Sequence, residues 1–156
     1  MRPKRKVSRQ FLKLSREHAL IWHHVESLEK ALDEDISVAE FEERLEALSG
    51  DLAEHFALEE EVLFPAALMG LRDLDVIDQV VTLSKEHGYF ERDFTELKNA
   101  LTEAESQGPL PASERGMAVS LLQCFRQHAR IETESLFQKM DESPACTKVL
   151  KGFLID

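Results

Sequence analysis

Apolar residues recur every three or four positions along most of this chain. In the first run, Phe11, Leu14, His18, Ile21, Val25, Leu28 and Leu32 share one helical face until Asp33 to Ser37 break the spacing. The second run holds Phe41, Leu45, Leu48, Leu52, His55, Glu59 and Val62. It follows Ser37 and Glu40, spaced as a capping box, and Pro65 and Gly70 are expected to close it. A third stripe, Val76, Val80, Leu83, His87, Phe90, Phe94, Leu97 and Leu101, ends at the loop sequence Gln107, Gly108, Pro109, Leu110, Pro111. The fourth, Met117, Leu121, Cys124, His128, Glu132 and Ser135, begins near Ser113 and stops before Pro144. No stretch alternates apolar and polar residues as a half-buried strand does. The pattern predicts an all-α fold, an antiparallel up-down-up-down four-helix bundle, because short connections make consecutive helices neighbours. Its expected parts are a basic N-terminal arm over residues 1–10, the bundle over 11–142, and a tail or short helix over 143–156.

Six residues on these apolar stripes are out of place: His18, His55, Glu59, His87, His128 and Glu132. A bundle core does not accept buried carboxylates and imidazoles without partners, so something must compensate them, and a cation would do so. The chain also repeats. Glu17 and His18 reappear as Glu86 and His87, 69 residues on, and the His55-x3-Glu59 motif reappears as His128-x3-Glu132, 73 residues on. Each half is one helical hairpin with a His on its first helix and an HxxxE on its second.

In an antiparallel hairpin two residues lie level when the midpoint of their numbers falls in the connecting turn. The midpoint of 18 and 55 is 36.5, that of 55 and 87 is 71, and that of 87 and 128 is 107.5, each within an expected turn. Six ligand-type side chains therefore converge on one cross-section, with each Glu one helical turn, about 6 Å, from its His. Six donors exceed the four of a structural zinc, and the absence of cysteine among them argues against an iron–sulfur site. Two metals fit better, with His18 and His55 on one ion, His87 and His128 on the other, and Glu59 and Glu132 as bridges. The Glu-x-x-His pattern of ferritin-like sites does not occur.

Composition narrows the picture further. The 156 residues suit a single core, and two cysteines, Cys124 and Cys146, are too few for a disulfide framework. No segment reads as a membrane span or secretory signal, so a cytoplasmic location is expected. The net charge of -11 is uneven, because residues 1–16 carry seven basic and no acidic side chains. The remaining body is strongly acidic, which disfavours nucleic acid as its partner.

The ordered motifs His18, His55-x3-Glu59, His87 and His128-x3-Glu132 resemble those of the hemerythrin-like HHE cation-binding domain, over roughly residues 8 to 142. The resemblance implies two non-haem iron ions joined by an oxo or hydroxo bridge and held by these six residues, with a small diatomic ligand, oxygen or nitric oxide, as partner. Oxygen-carrying members have a second His on the third helix and HxxxxD on the fourth, where this chain has Glu91 and HxxxE. Glu91 is expected on the solvated edge of the stripe and stands as a seventh candidate ligand. The four-His, two-Glu set is more similar to bacterial di-iron proteins implicated in repair of iron centres. Three functions follow: a non-catalytic module that binds or senses a small ligand or iron, an enzyme or repair factor acting in nitric oxide or peroxide stress, and a metal-stabilised interaction bundle. With no nucleophile–base pair or phosphate loop in the sequence, the binding module is favoured.

Among the other residues, Trp22, Phe64 and Phe137 are expected in the core and Cys124 as a small buried hydrophobe. His23 and His24 are expected at the surface, and Glu60, Glu61 and Glu134 on a solvated acidic face.

Overall fold

Four helical rods carry the stripes. The computed structural model describes residues 9–152, with side chains from Arg16 onward, so the side chains of Phe11 and Leu14, and residues 1–8 of the basic arm, lie outside what is described. The first rod is α1 (Arg9–Asp33). The second runs from α2 (Val38–Leu58) through a π-helical segment (Glu59–Leu63) into α3 (Phe64–Leu71). The third is α4 (Leu74–Thr102), and the fourth runs from α5 (Ala112–Ile131) through a second π-helical segment (Glu132–Phe137) into α6 (Gln138–Glu142). A further helix, α7 (Pro144–Gly152), packs across α3. The fold is all-α, as the periodicity predicts.

Local chemistry sets the helix ends. Ser37 caps α2, its Oγ accepting from the Glu40 amide at 3.2 Å, while the Glu40 carboxylate accepts from Arg44 instead of completing the box. Asp73 caps α4 by accepting from the Asp75 amide at 2.9 Å. The second rod runs straight through Pro65, whose missing N–H removes one backbone bond where the π-helical segment passes into α3. It ends beyond Gly70, at Arg72 with φ 47°. Gly70 serves a different purpose: a Cβ there would stand 2.5 Å from Cys146 Sγ and 2.7 Å from Cys146 Cα, so its bare backbone lets α7 cross α3. At the opposite end the α4–α5 loop is stitched to the α1–α2 turn, with Val38 N donating to Gly108 O at 3.1 Å and Ala39 N to Ser106 O at 2.9 Å.

The π-helical segments each add a residue to one turn and move the buried stripe by one position. After Glu59 the core takes Leu63 and Phe64, leaving Val62 half-buried; after Glu132 it takes Leu136 and Phe137, leaving Ser135 half-buried. In α5 the buried face runs Ala118, Leu121, Leu122, Phe125 and His128, so Met117 and Cys124 point outward. The expectation of a buried Cys124 is corrected, because the larger Phe125 occupies the face that it would have filled.

Buried apolar residues resolve into two clusters. One, at the stitched end, is built from residues such as Val25, Leu28, Phe41, Leu48, Leu97 and Leu121. The other, under α7, contains Leu63, Ala67, Val76, Leu83, Leu136 and Met140. Between them lie His55, Glu59, His87, His128 and Glu132, the buried polar residues of the described chain.

Candidate metal centre

The six residues meet in three dimensions. Glu59, His87, His128 and Glu132 form one cluster whose donor atoms all lie within 4.8 Å of one another, and His18, His55 and Glu59 form a second. Glu59 belongs to both clusters and Glu132 to one, a less symmetric arrangement than the repeat implies. Glu59 Oε1 lies 2.5 Å from His55 Nε2, and Glu59 Oε2 lies 3.7 Å from His87 Nε2. Glu132 Oε1 lies 3.0 Å from His128 Nε2.

Hydrogen bonding around the cluster explains the inward aim of the imidazoles. His55 Nδ1 donates to Glu17 Oε2 at 3.0 Å, His87 Nδ1 to Glu60 Oε1 at 2.9 Å, and His128 Nδ1 to Glu86 Oε2 at 3.0 Å. An ionised carboxylate can only accept, so Nδ1 carries a proton in each ring, and in the neutral ring the Nε2 lone pair faces the centre. Carboxylates in this position also raise the basicity of a ligating imidazole. Nothing in the spacing of the sequence marks these three carboxylates as partners of the imidazoles. Its repeat displayed Glu17 and Glu86, but each serves a His on the next rod rather than its own neighbour. Glu60, expected to be merely solvated, also accepts from Ser84 Oγ at 2.9 Å.

The interior of the cluster is unsatisfied. Glu59 Oε2, His87 Nε2 and Glu132 Oε2 are buried without a hydrogen bond, and Glu59 Oε1 and His128 Nε2 face only His55 Nε2 and Glu132 Oε1 of their own motifs, contacts that carry no proton while the rings hold theirs on Nδ1. Orphaned acceptors of this kind are costly in a core, and a cation would satisfy them together. Burial, followed by the charges of His55 and His128, holds His18 down at about 3. Burial and the neighbouring His128 hold His87 at about 4, and burial and His55 hold His128 at about 4. Burial opposes protonation of His55 too, but the Glu59 and Glu17 carboxylates outweigh it and raise its pKa. Burial raises Glu59. Three of the four imidazoles are thus neutral and ready to donate at pH 7, the state metal binding needs.

The remaining candidates fall outside these clusters. Glu91 is exposed and lines a groove between α2 and α4 whose floor includes His87, but it joins neither donor cluster. His24 pairs with Asp51 at 2.8 Å and His23 is exposed. Trp22 is half-buried against the core, with the Arg126 guanidinium 4.9 Å above its ring. Glu61 is exposed, and Glu134 accepts from Arg130 at 3.1 Å on the surface.

A four-helix bundle with a layer of four histidines and two glutamates across its middle is a cation-binding bundle by construction. Residues 9–140 match the family described as Hemerythrin HHE cation binding domain, and the chain belongs to that family. Neither a curated protein nor a solved structure matches the chain significantly. Among the described residues no helix is long and apolar enough to cross a membrane.

Proposed function

We propose that this chain is a non-haem di-iron protein that binds or senses a small diatomic ligand, oxygen or nitric oxide. His18 and His55 hold one iron, His87, His128 and Glu132 hold the other, and Glu59 bridges them, with an oxo or hydroxo group completing the pair. The observation that carries this reading is the set of orphaned buried acceptors lying in two donor clusters that share one carboxylate. The donor chemistry agrees: imidazole and carboxylate suit iron, and no thiolate is among the donors to select a softer ion.

The iron pair would supply open coordination places and accessible redox states for a small ligand. The protein's part is to hold the imidazoles neutral and aimed, through Glu17, Glu60 and Glu86, and to keep bulk water from the centre with the apolar clusters on either side. The α2–α4 groove, about 650 Å³ and reaching His87, supports entry of a small ligand. Glu91, on the groove wall, stays outside the set of ligands in this reading. A non-membrane, cytoplasmic site of action accords with the acidic, span-free body.

The test is metal analysis joined to ligand spectroscopy. Protein from iron-replete cells should carry two irons per chain, and the anaerobically reduced form should change its absorption on addition of nitric oxide. One zinc per chain at full occupancy, with no second metal, would overturn the proposal.

A further inference from the structure

The internal repeat gives each of the four imidazoles of the layer a counterpart, and the counterparts are not braced alike. His55 and His128 correspond, as do their acceptors Glu17 and Glu86, and the two hydrogen bonds have the same length of 3.0 Å. His87 and His18 are the other corresponding pair. His87 is braced by Glu60, but the residue 73 positions beyond Glu60, the shift that carries His55 to His128, is Thr133.

The grooves bear out this correspondence. Phe56, Glu60 and Glu91 line the groove between α2 and α4, and their counterparts Ala129, Thr133 and Trp22 line one of about 620 Å³ between α1 and α5. Among the described residues no carboxylate is hydrogen-bonded to His18 Nδ1, and of the carboxylate side chains in the sequence only Asp156 lies outside the described residues. What His18 does meet is the other imidazole of its cluster, His55, with their Nε2 atoms 2.9 Å apart.

Two further differences point the same way. The cluster containing His87 offers four donors, all buried, whereas that containing His18 offers three, with His18 itself only half-buried. A carboxylate behind a ligating imidazole fixes its tautomer and ring orientation, and losing such a partner typically costs about 10–100-fold in metal affinity.

We infer that the two metal positions are unequal: the His87–His128–Glu132 position holds its ion tightly, while the His18–His55 position, lacking a carboxylate at residue 133, holds its ion more weakly and exchanges it. The inference rests on the dinuclear reading above and adds an order of filling to it.

The experiment uses the full chain stripped of metal and Co²⁺ as the probe, followed by visible absorption with a competing chelator under anaerobic conditions. Two binding steps separated by about tenfold or more are expected. His18→Ala should abolish the weaker step alone and His128→Ala the tighter one. Thr133→Glu, at an exposed position, should strengthen the weaker step and narrow the gap, while Thr133→Gln, which brings no charge, should narrow it less. Two ions binding with equal affinity, or a weaker step indifferent to Thr133→Glu, would overturn the inference and leave the dinuclear site standing. Saturation at one Co²⁺ per chain would overturn the dinuclear reading itself.

Discussion

Phe56 lies flat against His87, with ring centroids 3.9 Å apart and planes inclined by 13°. Both rings line the α2–α4 groove, so one side chain both packs the centre and stands at its entrance. The half-buried ring contributes less than a fully buried phenylalanine, whose loss costs about 3–5 kcal/mol. Phe56→Ala should therefore destabilise the protein by about 1–3 kcal/mol in denaturant unfolding, discounted from that range for its exposure. It should also speed removal of bound metal by a chelator several-fold. An unchanged removal rate in a folded variant would show that the ring is no cover.

The two glutamates of the paired motifs should not behave alike. Glu59 falls within both donor clusters and Glu132 within one, so Glu59→Ala should lose metal at both positions and Glu132→Ala chiefly at the His87–His128 position. Metal content per chain after purification, read with the melting temperature, separates these outcomes. Equal losses in the two variants would mean that both carboxylates bridge.

Acid should weaken the metal-free bundle. His18, His87 and His128 are held at about 3, 4 and 4, below their ordinary 6.5. Below pH 6.5 the unfolded chain therefore takes up protons that the folded chain refuses. The stability these groups contribute is complete above 6.5 and drains away as the pH falls toward 4. His55, Glu59 and Glu86, all raised, act in the opposite sense, so the expected fall is what the three lowered imidazoles contribute less what these three return. Urea midpoints of the apo protein should fall between pH 7 and pH 5; a midpoint that rises over that interval would contradict the assignment.

Gly70→Ala tests the crossing of α7 over α3. The added methyl would meet Cys146 backbone as well as its sulfur, so side-chain rotation cannot relieve it. A loss of about 1–3 kcal/mol is expected, the usual range for overpacking. Metal content should hardly change, since the contact lies in the cluster under α7, away from the donor set. Unchanged stability would show that α7 does not dock there.

Helical periodicity and the positions of the turns were enough to read the all-α bundle and to bring His18, His55, His87, His128, Glu59 and Glu132 to one level. That works because a rod's rise per residue is nearly constant, so register follows from counting. Counting fails where the rod changes pitch: Leu63 and Leu136 replace Val62 and Ser135 in the core because a π turn intervenes, and nothing in the composition of either segment announces it. The braces were hidden for another reason. Glu17, Glu60 and Glu86 sit at the partly exposed edges of their helices, where sequence distinguishes a hydrogen-bonded carboxylate poorly from a solvated one, and each reaches a histidine on a different rod. Cys124 and Phe125 show the same limit, since adjacent apolar residues both fit a stripe until packing chooses the larger.

The polar layer separates two apolar clusters that share helices but little else, and this bears on cooperativity. Without a cation, the stitched end and the end under α7 are joined across a stratum of mutually unfavourable groups, so the two ends should melt as separate units, with a calorimetric enthalpy exceeding the van't Hoff value. With ions drawing all four rods together at that stratum, the boundary becomes a rivet, and the bundle should unfold in a single transition in which the enthalpies agree. Metal occupancy would then be reported along the length of the bundle, as the difference between one folding unit and two.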